Sequence, residues 1–498
     1  MTPAVLVGLA TVCAATVLIS VYGLRLSRTT GDFYVASRTV RPWWNASAIG
    51  GEYLSAASFL GVAGLILVSG IDALWFPIGY TAGYLMLLLF VAAPLRRSGA
   101  YTLPDFAAAR LDSRPARRVT SVLVVTIGWL YIVPQLHGAA LTVRITTGLP
   151  AWVGAAVVAV VVVVTVMAGG MRSITFVQAF QYWLKLTALV VPAVFVLLTL
   201  GAQGAPITDG GAAFHQDLDV TEAASLYRNV SLIIALLFGT LGLPHVLVRF
   251  YTNPDGQAAR RTTVIVLGLL SLFYLFPTIF GVLGRIYTPD LAVGGQADAT
   301  VLLLPQRVLG STAGDLLAAL VVGGAFAAFL STTSGLVVSL AGVVSQDLFH
   351  GSVKGFRLAA VLSAAVPLIV ALATDSRALA GSIGTVFAFT ASTICPMLLL
   401  GIWWHGLTAA GAIAGMAAGA AVCGSAIVAA AVGGEALGPF AELLAQPAAW
   451  SVPLAFAVMV LVSKLTASRR PATVSRVMAR LHSPERSDTG WRPAGPQA

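Results

Sequence analysis

Residues 323–349 read GGAFAAFLSTTSGLVVSLAGVVSQDLF, an apolar stretch that carries Ser331, Thr332, Thr333, Ser334 and Gly335 in succession near its middle. A hydroxyl in hydrocarbon needs a partner, and a Ser or Thr in a membrane helix commonly finds one in its own backbone a turn earlier. Four hydroxyls beside a glycine also form a lining of neutral oxygens, the ligand type a hard cation takes.

The rest of the chain is equally apolar. Of its 498 residues 58% are hydrophobic and 10% charged, and the mean hydropathy is +0.90. Those values exclude an ordinary soluble globule. Apolar runs follow one another at lengths that cross about 30 Å of hydrocarbon as helices. Their unbroken character excludes the alternating strands of an outer-membrane barrel, so the predicted fold is an all-α polytopic membrane protein. Thirteen spans are expected, near 3–24, 43–69, 72–95, 119–143, 150–170, 176–201, 229–250, 263–284, 312–348, 358–373, 379–402, 407–432 and 449–465.

Basic residues set the orientation, because loops rich in Lys and Arg stay inside. With the N-terminus out and the C-terminus in, inner segments hold 23 of the 29 basic residues. These include Arg25, Arg28, Arg38, Arg96, Arg97, Arg117, Arg172, Arg249 and the tail beyond 466, while 202–226, 288–300 and 433–448 carry acids and no Lys or Arg. The net charge of +10 therefore reports topology rather than nucleic-acid binding. The basic tail is expected to be a solvated cytoplasmic end, with contact to anionic lipid as the other reading. Cys13, Cys395 and Cys423 sit within apolar runs without metal or disulfide spacing. No segment is long enough for an attached enzyme domain, and no catalytic residues are expected.

Polar groups within the spans are the functional candidates. The second span, NASAIGGEYLSAASFLGVAG (45–64), places Glu52 after the pair Gly50–Gly51 and adds Ser55 and Ser58. The glycine pair is expected to weaken that helix. The seventh span, VSLIIALLFGTLGLPHVLVRFY (230–251), gathers Gly239, Gly242 and Pro244 and should break beside Thr240 and His245. Two interrupted helices five spans apart are what an inverted repeat of five plus five helices produces. The expected units are an extra helix at 1–24, repeats at 43–201 and 229–402, two further helices at 407–465 and the tail at 466–498. Gln135 and His137 follow a proline in the fourth span; Gln135 reads either as a substrate contact or as a bridge between helices. Lys185 and Arg144 are the cations nearest membrane depth.

Taken together, GGEYLSAASFLGVAG (50–64), LFGTLGLPHVLVRFYT (237–252) and LVVSLAGVVSQDLFH (336–350) resemble the sodium/solute symporter family, and within it the cation/acetate or monocarboxylate permease branch. The likeness extends over roughly residues 28–430. It implies a LeuT-like core of ten helices in two inverted repeats, in a multi-pass bacterial plasma-membrane protein. It also implies Na+ as coupling ion at the carbonyls of Gly51 and Leu54 and at Ala328, Ser331 and Thr332. A small organic anion such as acetate, propionate or pyruvate is the implied cargo. Glu52, Ser58, Gln135, Thr240 and His245 are the substrate or coupling candidates. Gln178 departs from an Asp of some relatives. Proton coupling through Glu52 or His137, another small polar solute, and a non-transporting sensor remain open alternatives.

Overall fold

Pro42 starts a helix that cannot continue past Tyr53. Its fixed φ and missing amide suit a first helical position, and at the far end Leu54 leaves helical geometry at φ −74°, ψ 85°. The chain resumes as a π-helical turn over Ala57–Gly61 and then as helix. The seventh span behaves alike: helix ends at Thr240, three residues turn, and Pro244 restarts it at an angle of 42°. The expected breaks are both present, but the first falls three residues after Gly51 rather than at the glycine pair. Gly50 and Gly51 are helical and serve close packing instead: a Cβ on Gly50 would meet the Tyr182 ring, and one on Gly51 would overlap the Gln178 carbonyl.

The computed structural model describes residues 3–24, 40–207, 222–310, 312–374, 379–433, 438 and 440–483. Arg25, Arg28, Arg38, Arg377, Arg486 and Arg492, the Arg172 side chain and the segment 208–221 lie outside the described residues. The helices are α1 (Pro3–Leu24), α2 (Pro42–Tyr53), α3 (Val62–Ser69), α4 (Trp75–Phe90), α5 (Ala92–Ser98), α6 (Leu103–Leu111), α7 (Arg114–Thr147), α8 (Ala151–Ala202), α9 (Glu222–Thr240) and α10 (Pro244–Phe250). There follow α11 (Gly256–Tyr287), α12 (Asp290–Val293), α13 (Thr300–Leu309), α14 (Thr312–Leu348), α15 (Val353–Ala373), α16 (Leu379–Trp403), α17 (Ala409–Gly433), α18 (Ala441–Ala445), α19 (Ala448–Leu465) and α20 (Val474–His482).

Among the described residues eleven helical stretches are long and apolar enough to cross a membrane, or twelve when α9 and α10 count as one broken span. One of the eleven, Ala57–Phe90, holds two legs. The chain reverses at Gly70, whose φ of +63° suits glycine, so that Tyr53 reaches Tyr80 with 5.1 Å between ring centres. A straight helix would separate those residues by about 40 Å at 1.5 Å per residue. This reversal accounts for the thirteenth predicted span. The long α8 also has two legs. Gly154 lies against Ala139, whose neighbour Gly138 lies against Phe329 of α14, and Lys185, about 46 Å farther along a straight helix at 1.5 Å per residue, donates to Ser331 on that same helix. The second leg runs alongside α1, where Ser173 donates to Ser20 O and Gln181 to Thr16 Oγ1.

Each half of the molecule thus contributes a broken helix to a common centre, where α14 and the second leg of α8 lie against α2. Outside this core, Asp298 sits in the outer segment between α11 and α13. Its Oδ2 accepts from the first amide of α16, Leu379 N, at 2.9 Å, and its Oδ1 lies where a Cβ on Gly64 would fall. Burial lifts this carboxyl to about 6 against the opposing pull of the Leu379 amide. A raised carboxyl favours the folded state while protonated, so the contribution is full below pH 4 and is lost as pH rises through about 6. The Asp298→Asn variant is therefore expected to gain thermal stability relative to the parent between pH 5 and pH 7.5; a difference that does not change with pH would contradict this.

The tail is more ordered than a solvated end. Its helix α20 buries Val474, Met478 and Leu481 against α5 and α6, and His482 meets Trp403 edge to face at 4.9 Å between ring centres. An amphipathic pattern, apolar every three or four residues, was the available signal.

Candidate functional site

The end of α2 frees the carbonyls that an uninterrupted helix would bond internally. Gly51 O and Leu54 O both point at one spot between α2, α8 and α14, and Ser331 Oγ joins them from the middle of α14. The occupant is the Lys185 ammonium: it donates to Leu54 O at 2.7 Å and to Ser331 Oγ at 3.0 Å, and also to Gly51 O. Lys185 is fully buried. Three of the oxygens expected from the sequence, Gly51 O, Leu54 O and Ser331 Oγ, thus surround one point, and a lysine from the second leg of α8 occupies it.

The other predicted ligands lie around it in different roles. Ser331 Oγ donates to Ala328 O at 3.1 Å, and Thr332 Oγ1 donates to the neighbouring carbonyl, Glu52 O, at 2.6 Å. Thr333 Oγ1 is buried with no hydrogen-bond partner among the described residues. Thr332 therefore fastens α14 directly to the broken end of α2, and Ser331 does so through Lys185.

One turn toward the inner side lies a charged network that sequence reasoning missed. Arg249 on α10 donates through Nε to Glu52 Oε2 at 2.7 Å, and both side chains are 1% exposed. Its Nη1 donates to Thr175 Oγ1 at 2.8 Å and its Nη2 to Gln178 Oε1, while Gln178 Nε2 donates to Ser331 O at 2.8 Å. Four elements, α2, α8, α10 and α14, are tied here by groups that complement one another in charge and hydrogen bonding. The network closes the inner side of the broken helices.

On the other side of the breaks, aromatic rings converge from α2, α4, α7 and α16. Tyr53 packs on Tyr84 at 4.5 Å, Tyr80 on Phe387 at 4.9 Å and Tyr131 on His245 at 5.2 Å. The hydroxyls of Ser55, Tyr80 and Tyr131 approach one another without completing a hydrogen bond of good geometry, and the Tyr84 hydroxyl and both His245 ring nitrogens are buried without a partner among the described residues. Native interiors rarely leave so many polar atoms unused, and such groups mark places where water or a ligand completes the set. Above them an outer cleft of about 150 Å³ reaches Phe76, which packs on Tyr80 at 4.9 Å.

The remaining candidates divide. Thr240 Oγ1 pairs with Tyr53 OH at 3.0 Å, and Ser58 Oγ with Tyr274 OH at 2.9 Å, both within this aromatic region. Gln135 is a bridge: its Oε1 accepts from Ala56 N at 2.9 Å, an amide orphaned by the break in α2. Removing that acceptor strands a buried amide, so Gln135→Leu is expected to lower stability by about 1–3 kcal/mol. Equal thermal unfolding of the Leu variant and the parent would refute the bridge. His137 lies toward the outer end of α7, where Nε2 meets Ala371 O at 3.1 Å.

Two broken helices meeting at the bilayer centre, with an oxygen cage on one side and unpartnered polar groups on the other, define a secondary carrier built as a LeuT-like inverted repeat. The sequence model of the sodium:solute symporter family matches residues 33–419, and the chain belongs to that family. Its relatives include the uncharacterized symporter YwcA of Bacillus subtilis (strain 168), 30% identical over 422 residues, with 81% of this chain and 82% of that protein covered. A Na+-coupled sialic acid symporter in a substrate-bound outward-open state shares the fold at TM-score 0.70 and 16% identity, covering 94% of this chain and 98% of the other. The nucleobase-cation-symport-1 transporter Mhp1, in a closed conformation with bromovinylhydantoin bound, does so at TM-score 0.59 and 13% identity over 90% and 98%. The protein is a multi-pass membrane transporter and not an enzyme, and sodium is the coupling ion of its family.

Proposed function

We propose that this protein is a symporter that uses sodium to import a small monocarboxylate such as acetate, propionate or pyruvate. The observation that supports it best is a group of neutral donors at the centre: the Tyr84 hydroxyl and the His245 imidazole, buried without a partner among the described residues, beside the Ser55, Tyr80 and Tyr131 hydroxyls, which approach one another without completing a hydrogen bond of good geometry. A carboxylate accepts several hydrogen bonds and carries no donor of its own, which suits that set. The nearby acid, Glu52, is engaged by Arg249 and so does not repel an anion freely. The rings of Tyr53, Tyr80, Tyr84 and Phe387 pack on one another, so a solute enters only as they part, and a short acyl chain asks for the smallest displacement.

In this reading the repeats at 43–201 and 229–402 rock against each other, and the oxygens of Gly51, Leu54, Ala328, Ser331 and Thr332 receive sodium. Cation and anion meet at the interface between the repeats, and each raises the other's affinity. The name of YwcA as a symporter and the sodium coupling of the sialic acid symporter support the reading. The test is competition in proteoliposomes loaded with labelled acetate uptake as the readout. Excess propionate or pyruvate should suppress uptake, and urea or a neutral amino acid should not. Suppression by urea or an amino acid, with propionate inert, would overturn the substrate class.

A further inference from the structure

The cage at the end of α2 presents neutral oxygens to a single positive charge, and a side chain of the protein already supplies that charge. Gly51 O, Leu54 O and Ser331 Oγ all accept from Lys185 Nζ, and the lysine is fully buried. Sodium and ammonium make the same demand on their surroundings, a shell of oxygen lone pairs around one positive charge. One cage cannot serve both at once, because two like charges at such a separation repel strongly away from water. The lysine also comes from a third element: α2 and α14 provide the oxygens, and the second leg of α8 provides the cation.

We propose that Lys185 is a tethered competitor of the coupling cation, its ammonium and a sodium ion being alternative occupants of this one cage. Sodium enters only as the lysine withdraws. Withdrawal releases the tie from α8 to the broken end of α2 and to α14, so exchange of one cation for the other loosens the contact on which the inner closure rests. Glu52 follows Gly51 by one residue, and its Oε1 has no hydrogen-bond partner among the described residues, which provides an acceptor for a displaced ammonium. Competition from a permanently attached cation sets the sodium affinity low without altering any ligand. This inference rests on the assignment of the cage as the seat of sodium.

The test measures sodium binding to the purified full-length protein, by calorimetry and by tryptophan fluorescence, with choline chloride holding ionic strength constant. Trp183, two residues from Lys185, is a nearby reporter. Lys185→Met is expected to bind sodium at least tenfold more tightly than the parent, and adding Ser331→Ala to it should abolish the gain. Equal sodium affinity in the parent and the Met variant would overturn the proposal, as would a gain that survives Ser331→Ala, or no binding by a monodisperse Met variant. Where the Met variant is not recovered as a monodisperse species, Lys185→Gln carries the same expectations. Binding of sodium alone needs no substrate, so an error in the monocarboxylate assignment leaves this result untouched. Sodium-driven uptake alongside equal affinities would sink the competitor and leave the symport reading standing.

Discussion

Arg249→Met is expected to destabilise the protein by about 3–5 kcal/mol, because it leaves Glu52 as an uncompensated buried charge. The pair is 1% exposed on both sides, so water cannot screen the loss as it would at a surface. The arginine also satisfies Thr175 and Gln178, and Gln178 in turn holds Ser331 O, so the effect should spread to the cage. The double variant Glu52→Gln with Arg249→Met removes both charges together and should recover most of the stability, since replacing a whole buried pair is often close to neutral. Thermal unfolding of the parent, both single variants and the double variant measures this coupling directly. Single losses that simply add in the double variant would show that the two side chains do not act as a pair.

Gly51→Ala is expected to have the second large effect, through shape rather than charge. The added methyl would overlap the Gln178 carbonyl of α8, a backbone atom that no rotamer change can move aside. Overpacking of this kind costs about 1–3 kcal/mol. The same step pushes Gly51 O away from Lys185 and Ser331, so apparent sodium affinity in uptake should fall together with stability. Gly268→Ala, at a helical position on α11 with nothing within 4 Å of the added Cβ, is the control and should unfold at the parent temperature or above it. Parent-like unfolding and sodium dependence of Gly51→Ala would remove the close approach of α2 to α8 from the account.

The fold was legible because its signals are local. Apolar runs give the spans, and Pro244 with Gly239 and Gly242 marks one break. The first break was misplaced by three residues because Gly50 and Gly51 look like helix weakeners. Their reason for being glycine lies in α8, more than 120 residues away. Gly51 O, Leu54 O and Ser331 Oγ meet at one point as the sequence reading expects, but around the Lys185 ammonium, which that reading does not place there. Lys185 stood out in the sequence as a cation at membrane depth, but nothing local says which way its side chain turns. Arg249 read as one more inner-side arginine, because its partner Glu52 is 197 residues distant. The aromatic centre was invisible for the same reason: Tyr53, Tyr80, Tyr131 and Phe387 come from four helices, and each alone reads as a core residue.

The most direct test of the account is labelled acetate uptake into proteoliposomes under an inward sodium gradient, compared with an equal proton gradient without sodium and with no gradient. Concentrative uptake under the sodium gradient, collapsing when the gradient is dissipated, is the predicted result. Acetate uptake that is the same with and without sodium would contradict it.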